Sequence, residues 1–389
     1  MKKSICVFVN NYTPKTETFI LNHLYYLRDS GRYTITVLCH HWDGEFNIGD
    51  EVEVIAVPQT FTNRFFGFFK LLWKSPITFF KLLKPKYASL HGTSFPLAEK
   101  LAGRHFDIIH THFGHNGRLI SPLIIEQIIT KNIFINHFYG LDISSEKCTA
   151  PGFYNLLHQS LDIPLTNTKF SASLVSKLGF DLQDIKKVVV GSDVNFFAPS
   201  THKSPNSLFK LIFIGRLIEL KGVTLLPEIE NRLKEKIGND FVIDVIGGGT
   251  LLDFLLNHTS QNLDSNIVVH GYKNRTEIKE LLEEASVFIY PGYKDDEGRE
   301  ETQGTVVQEA MLMKVPVVVT NVGGVAEAVE DNVTGFIVDQ KDIDVFVERL
   351  VWLYHNREKA IEMGEKAYSF AKENYSVYRS FELIEKLYE

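Results

Sequence analysis

The sequence has few cysteines, no long apolar run and no surplus of positive charge. Its cysteines, Cys6, Cys39 and Cys148, are odd in number and far apart, so they predict reduced thiols rather than a disulfide framework or a zinc site. No stretch reaches the roughly 18 uninterrupted apolar residues of a membrane span. The net charge of -7 argues against a general nucleic-acid binder, which needs a positive surface. These absences predict a cytoplasmic protein.

The chain is long and has the composition of a globular protein. It contains 389 residues, of which 44% are hydrophobic and 23% are charged. That length exceeds one ordinary core and predicts two domains. The apolar run Ile5–Val9 is too short for the h-region of a signal peptide, so it predicts a first buried strand.

Short β-branched runs alternate with longer helical patterns along the whole chain. The runs are Ile5–Val9, Tyr33–Leu38, Val52–Val57, Asp107–His110, Ile133–His137, Ile163–Thr166, Lys187–Val190, Leu208–Gly215, Phe241–Gly247, Ile267–His270, Val287–Tyr290, Val315–Thr320 and Gly335–Val338. This alternation is typical of parallel sheets wrapped by helices. The predicted fold class is α/β, with two doubly wound Rossmann-like domains that face each other across a cleft.

A polar stretch with two prolines and three serines, residues 199–207, predicts the linker between the domains. The first domain is then predicted over residues 1–198 and the second over 208–370. Residues 371–389 are helical in pattern, and we expect this C-terminal helix to cross back to the first domain.

Two carboxylates flank a glycine at the start of a predicted helix. Glu301 ends an acidic loop, and Glu309 lies in the first turns of the helix. Between them, Gly304 and Thr305 offer free N–H groups and the positive end of the helix dipole, which suit a phosphate. The alternative is that these acidic residues are merely solvated. A second glycine turn at 323–324, where backbone can approach a ligand closely, favours the nucleotide-sugar site.

Cations follow the first strand of the second half. Arg216 and Lys221 lie on the loop at the carboxyl end of the strand that closes with Gly215. Cleavage of a sugar–diphosphate bond places negative charge on the diphosphate, and fixed cations there stabilise the transition state. Gly248, in the triple glycine after the next strand, predicts another turn that lets backbone approach the donor.

At these residues the stretch from Phe213 to Val338 resembles the retaining GT-B glycosyltransferases of family four, often called group 1. Their two glutamates, with seven residues between them, match Glu301 and Glu309, with Ala310 following. The adjacent Glu300 leaves a one-residue shift of the first glutamate open. The resemblance implies the GT-B fold, transfer with retention of configuration, and no protein-bound metal or other cofactor.

The same resemblance implies roles for individual residues. Glu309 would bind the donor ribose, Glu301 would contact the transferred sugar, and Arg216 and Lys221 would hold the diphosphate. Arg216, Lys221 and Glu301 are therefore the predicted catalytic residues of the second half.

The segment Tyr12–Ile20 resembles a subgroup that builds bacterial exopolysaccharide and lipopolysaccharide. Thr16 and Glu17 follow the first strand, where a loop and a helix start can meet the donor phosphate. The alternative is helix capping, since a threonine at this place is a good N-cap.

Histidines cluster near the ends of two predicted strands. His110 and His112 share a strand face and His115 is close in sequence, which suggests a metal site. No fourth ligand stands in register, so we expect no metal and interpret His112 as an acceptor-side catalytic residue. Tyr139 occupies the position of a family histidine near the sugar, with His137 as the alternative.

Residues 61–87 contain seven phenylalanines, one tryptophan and six basic residues but no acidic ones. Ser75 and Pro76 divide them into two predicted helices. Phe65, Phe68 and Phe69 form an apolar stripe. Lys70 and Lys74 flank it, as in helices that rest on anionic membranes. The alternative is that the stripe faces the domain core.

The resulting prediction is a glycosyltransferase that moves a sugar from a nucleotide-diphosphate sugar to a hydroxyl of a saccharide or lipid-linked saccharide acceptor. Bacterial surface polysaccharide or lipopolysaccharide is the expected product, and peripheral contact with an anionic membrane is possible. Nucleic acid is not an expected partner. A nucleotide-sugar epimerase and a catalytically silent nucleotide-sugar-binding subunit remain the alternatives.

Overall fold

The computed structural model describes residues 2–13, 17–199 and 208–389. It divides into two compact units. The first comprises Met1–Asn167, Ser171–Val188 and Leu383–Glu389, and the second comprises Thr168–Phe170 and Val189–Glu382. Residues 200–207 of the predicted linker lie outside the described residues, and the predicted domain boundaries stay predictions.

The first unit contains a seven-stranded parallel sheet. Its strands are β1 (Lys3–Tyr12), β2 (Tyr33–Trp42), β3 (Glu53–Ala56), β4 (His105–His112), β5 (Thr130–His137), β6 (Ile163–Thr166) and β7 (Lys186–Lys187), in the order β3-β2-β1-β4-β5-β6-β7. The interior strand β1 is buried from Ile5 to Val9, as expected for a parallel strand covered on both faces. The predicted first strand is therefore confirmed.

Helices cover both faces of this sheet. They are α1 (Thr18–Asp29), α2 (Phe61–Lys74), α3 (Pro76–Leu82), α4 (His91–Leu101), α5 (Gly114–Ile125), α6 (Leu141–Ser144), α7 (Glu146–Thr149), α8 (Asn155–His158) and α9 (Lys169–Lys177). The break between α2 and α3 at Ser75 confirms the two predicted helices, with Pro76 in the first turn of α3. Cys6, Cys39 and Cys148 are buried free thiols, as predicted.

The second unit contains a six-stranded parallel sheet. Its strands are β8 (Phe209–Ile214), β9 (Phe241–Ile246), β10 (Ile267–Gly271), β11 (Val287–Tyr290), β12 (Val317–Thr320) and β13 (Gly335–Val338), in the order β10-β9-β8-β11-β12-β13. Alternate residues of β8 enter different apolar layers, because successive side chains of a strand point to opposite faces. Leu211 and Phe213 join one layer, and Ile212 and Ile214 join the other.

The helices of the second unit complete its two layers. They are α10 (Leu226–Ile237), α11 (Leu252–Gln261), α12 (Arg275–Glu284), α13 (Thr305–Leu312), α14 (Ile343–His355), α15 (Arg357–Asn374) and α16 (Val377–Lys386). The two parallel sheets with interleaved helices confirm the predicted α/β class. None of the described helices combines the length and the apolar character needed to cross a membrane.

Two details of the prediction were wrong. Of the predicted strand Lys187–Val190, only Lys187 belongs to a strand, which is β7 (Lys186–Lys187). The segment 371–389 is not one helix, because α15 ends at Asn374 and α16 begins at Val377. Between them the backbone bonds to Ser192, whose N–H donates to the carbonyl of Tyr375 over 2.8 Å. That pairing interrupts the helical hydrogen-bond ladder.

Candidate active site

Two glycine turns pack together at the carboxyl ends of β8 and β9. The Leu217 N–H donates to the carbonyl of Gly248 over 2.9 Å, and the Gly215 N–H donates to that of Ile246 over 3.0 Å. Space is open above Gly248, where an added Cβ would meet no atom within 4 Å. The Arg216 side chain is exposed beside this turn. The paired turns therefore present accessible backbone and a cation at one edge of the sheet.

Lys221 is held on a loop that only glycine permits. Gly222 has φ 73°, and a Cβ at this position would lie 2.0 Å from the carbonyl oxygen of Pro291. The close approach fixes the loop against the end of β11. The Lys221 side chain is largely buried and forms an ion pair with Glu301. Its Nζ also lies 5.2 Å from the centre of the Tyr290 ring.

Tyr290 completes this group of polar side chains, and the sequence analysis missed it. Its hydroxyl donates to Glu301 Oε2 over 3.3 Å. Burial and the neighbouring Glu301 charge raise the pKa of Tyr290, so the phenol stays protonated and keeps donating. Lys221, Glu301 and Tyr290 form one contiguous polar group within the second unit.

The two adjacent glutamates of the acidic loop, Glu300 and Glu301, have different partners. Glu300 accepts from the Gly323 N–H over 2.9 Å, whereas the carbonyl of Glu301 accepts from the Gly324 N–H over 2.8 Å. Gly323 has φ 51°, and a Cβ there would lie 2.1 Å from the Glu301 carbonyl oxygen. The Glu300 carboxylate thus serves the backbone turn, while the Glu301 carboxylate reaches Lys221.

Glu309 lies on α13, which begins at Thr305 without a side-chain cap at Gly304. Its side chain is half-buried and forms no hydrogen bond or ion pair with any residue that the structure describes. Burial raises the pKa of Glu309 to about 7, against the opposing effect of Arg275. A helix start with free N–H groups and an unpaired carboxyl on the same helix suit a phosphate and a hydroxyl.

A group of buried histidines lies in the first unit. Strand register places His112 of β4 directly beside His137 of β5. The rings of His110 and His112 stack with centres 4.7 Å apart. Burial lowers the pKa of His137 to about 4, so its imidazole is neutral at neutral pH. His115, the third histidine of the predicted metal site, bonds instead to Asn10 over 2.7 Å.

Tyr139 joins this group from the loop after β5. Its hydroxyl lies 2.6 Å from His112 Nδ1. Asp142, another residue missed as a contributor, accepts from the N–H groups of Tyr139 and Gly114 over 3.0 and 2.8 Å. The predicted acceptor-side roles of His112 and Tyr139 stay predictions, since both side chains are buried.

Thr16 and Glu17 are the two N-terminal residues predicted to meet the donor phosphate. Thr16 lies outside the described residues. Glu17 precedes α1, and its Oε2 is buried with no hydrogen-bond partner in the described chain.

The basic aromatic helices α2 and α3 expose most of their aromatic side chains. Phe65 and Phe69 are exposed, as are Lys70 and Lys74. The prediction is wrong for Phe68, whose ring packs against Phe79 and Phe95 at centre distances of 4.6 and 5.1 Å. Phe68 lies on the side of α2 that faces α3 and α4, so it enters the core of the unit. Trp73, which the stripe omitted, is 91% exposed.

A cavity of about 870 Å³ opens beside these helices at the carboxyl ends of β2 and β3. Its lining includes Trp42, His41, Phe66, Lys70 and Lys100. Aromatic, basic and polar groups therefore meet where parallel sheets usually bind ligands. No local sequence pattern predicted this cavity, because its lining comes from distant segments.

Comparison with known proteins finds a family that matches the second half of the chain. Residues 196–370 match the family described as Glycosyl transferases group 1. WcaL of Escherichia coli K12, whose name assigns it to colanic acid biosynthesis as a glycosyltransferase, is 28% identical over 248 residues, which are 63% of this chain and 60% of WcaL. The amylovoran biosynthesis glycosyltransferase AmsK of Erwinia amylovora is 26% identical over 250 residues, 64% of this chain and 61% of AmsK. The chain thus spans about 60% of the length of these curated relatives.

A solved structure supports the fold. HepE of Anabaena, crystallised with UDP, superimposes with a TM-score of 0.71 at 16% identity, covering 99% of this chain and 98% of HepE. At that identity the likeness concerns the fold alone, and it confirms the GT-B architecture. The chain therefore has the GT-B fold, and its residues 196–370 match the model of the Glycosyl transferases group 1 family.

Proposed function

We propose that the protein transfers a sugar from a nucleoside diphosphate sugar to an acceptor hydroxyl, with retention of configuration. The observation that carries this proposal is the polar group of Lys221, Glu301 and Tyr290, which lies in the matched family segment together with the unpaired Glu309. The UDP bound in HepE supports a nucleotide donor.

Each donor-site residue has a defined task in this proposal. Glu309 accepts from the ribose hydroxyls, and the N–H groups at Gly304 and Thr305 receive a phosphate. The open turn at Gly248 lets the donor approach the backbone. Arg216 and Lys221 neutralise the diphosphate as it leaves, which is when its charge increases.

The proposed reaction conserves atoms and charge with the donor and the acceptor alone, without a bound cofactor. The acceptor oxygen forms a bond to the anomeric carbon while the bond from that carbon to the phosphate oxygen breaks. The leaving diphosphate keeps the electron pair and takes the proton of the acceptor hydroxyl. Glu301 is available to contact the transferred sugar once the donor phosphate replaces it as the partner of Lys221.

We assign the acceptor to the first unit and place the product among bacterial exopolysaccharides. The names of WcaL and AmsK refer to colanic acid and amylovoran, which supports a saccharide acceptor. The cavity beside β2 and β3 offers Trp42 for a sugar ring and Lys100 for an anionic group.

The same cavity favours an acceptor carried by a lipid. Phe66 and Lys70 line the cavity and also belong to the exposed face of α2. That face combines aromatic side chains with basic residues and lacks acidic ones, so its charge complements an anionic membrane. Docking by this face would bring lipid-linked saccharide to the cavity at the inner surface of the cytoplasmic membrane.

A donor panel tests the transferase proposal. UDP-, GDP- and ADP-sugars are each incubated with the full chain and EDTA, and released nucleoside diphosphate is measured. Release from one donor, lost in Lys221→Ala and Glu309→Ala, is the expected result. Conversion of a donor to its epimer would instead identify an epimerase. Failure of every donor to turn over or to raise the melting temperature would overturn the proposal.

A further inference from the structure

We propose that the first unit binds one Zn²⁺ ion through His110, His112 and His137. This inference is independent of the proposed transferase activity, because all three residues belong to one unit and none is needed to bind the nucleotide. One ring nitrogen from each histidine lies within 4.8 Å of those from the other two. All three side chains are at most 2% exposed.

Two nitrogens of the group are buried without a hydrogen-bond partner among the described residues. They are Nε2 of His110 and Nδ1 of His137. A buried polar atom without a hydrogen-bond partner destabilises the folded protein, because it has lost its hydrogen bond to water. Two such atoms on neighbouring strands, one from each of two proposed ligands, indicate that the group lacks a binding partner.

The hydrogen bond of His137 directs a lone pair into the group. His137 Nε2 lies 2.7 Å from Asn167 Oδ1. An amide oxygen only accepts, so Nε2 carries the proton and Nδ1 keeps its lone pair. His112 Nδ1 bonds to the Tyr139 hydroxyl, and its Nε2 lies 3.4 Å from His23 Nδ1.

His110 follows the same pattern through Tyr388. Its Nδ1 lies 2.6 Å from the Tyr388 hydroxyl oxygen, which also lies 3.2 Å from His23 Nε2. A Tyr388 hydroxyl that donates to His23 accepts from His110 Nδ1–H. Nε2 of His110 then keeps its lone pair. Each proposed ligand thus bonds through its other nitrogen to an outer partner, as metal-ligating histidines almost always do.

Ligand chemistry favours zinc. Two nitrogens bound to one tetrahedral Zn²⁺ at about 2.0–2.1 Å are separated by about 3.3 Å. The three ligand nitrogens lie within 4.8 Å of one another. Because the rings are stacked, they must rotate to direct these nitrogens at one ion, which would replace His23 Nδ1, now 3.4 Å away, as the partner of His112 Nε2. Three imidazoles without thiolate or carboxylate are a known zinc ligand set.

Cobalt titration of the full chain tests this site. The protein is stripped with chelator and titrated with Co²⁺, whose tetrahedral complexes absorb strongly in the visible. We expect one equivalent to bind, Zn²⁺ to bleach the band, and Zn²⁺ to raise the melting temperature. His137→Gln and His110→Gln should each weaken binding at least about tenfold, and Tyr139→Phe should weaken it about tenfold through its outer contact.

His115→Gln is the matched control, because it removes a nearby, half-buried histidine whose ring bonds to Asn10 instead. It should keep the Co²⁺ band. Circular dichroism checks that each variant folds, and if His110→Gln does not, His137→Gln decides. Absence of the band in the unaltered protein would overturn the proposal. So would a band that persists in the folded His137→Gln variant.

Discussion

The Lys221 ammonium group forms an ion pair with the Glu301 carboxylate, although 80 positions separate them in the sequence. Both side chains are largely buried, with 11% and 16% of their surfaces exposed. In the proposed reaction this pair must open, because Lys221 then faces the diphosphate. The pair therefore keeps two charges compensated until the donor arrives.

This pair predicts strongly non-additive effects on stability. Lys221→Met and Glu301→Gln should each lower the free energy of unfolding by about 2 kcal/mol, since each leaves a poorly solvated partner. The double variant should lose less than the sum. Urea unfolding measures all three. Additive losses would show that the pair is not formed in solution.

Lys221→Met should also lower donor turnover about 100-fold or more.

We predict that replacing Glu309 raises the stability of the protein but weakens donor binding. Burial raises its pKa from 4.5 to about 7, so the folded protein binds an additional proton between these values. Stability therefore falls as pH rises through this range, and the unfavourable contribution is fully present above pH 7. Glu309→Gln should raise the free energy of unfolding at pH 8 by about 1–2 kcal/mol, with no gain below about pH 4.5.

The same Glu309→Gln variant should bind the donor at least about tenfold more weakly, because the amide has one accepting oxygen where the carboxylate has two. For the unaltered protein, donor affinity should fall as pH drops below 7. Calorimetric titration at pH 6 and pH 8 measures both effects. Equal affinities of the variant and the unaltered protein at pH 8 would contradict the ribose contact.

Gly222 predicts a steric effect that a matched glycine can isolate. Both Gly222 and Gly31 have positive φ, 73° and 66°, so alanine strains the backbone at each. Only at Gly222 would the new Cβ meet backbone, while nothing lies within 4 Å of it at Gly31. Gly31→Ala should cost about 1 kcal/mol, and Gly222→Ala should cost more and displace Lys221. Equal melting temperatures for the two variants would contradict this packing.

The exposed aromatic face predicts binding to anionic vesicles. Phe69→Ser with Trp73→Ser should reduce the bound fraction at least about tenfold, because two aromatic side chains no longer enter the interface. Leu263→Ser with Tyr272→Ser is the control, since these residues of the second unit are 97% and 86% exposed. Vesicle flotation, with phosphatidylcholine alone as the neutral comparison, measures the effect. Equal losses in the two double variants would contradict a specific membrane face.

Local sequence patterns predicted those strands whose formation depends on the residues within the strand itself. The runs Ile163–Thr166, Val287–Tyr290 and Gly335–Val338 coincide with β6, β11 and β13, because buried parallel strands are continuous apolar segments between turns. The close-approach turn at Gly323 was predicted from its two consecutive glycines, because a residue without a Cβ lets two backbone segments approach closely.

Contacts between distant segments could not be predicted. The sequence grouped His115 with His110 and His112 because they are neighbours in the chain. Strand register instead brought His137 into the group, and the register of β4 against β5 cannot be derived from either strand alone. Tyr388, 278 positions from His110, was beyond any local pattern.

The contacts of Tyr388 and Glu385 also determine when the first unit can be completed during synthesis. Tyr388 is buried against His110, and the Glu385 carboxylate accepts from the hydroxyls of Tyr26 and Tyr33. The unit that begins to emerge first from the ribosome must therefore wait, with its histidine group uncovered, until residues 383–389 have been made. If synthesis stalls within the second unit, the histidine group stays exposed, and chaperones can bind this exposed surface.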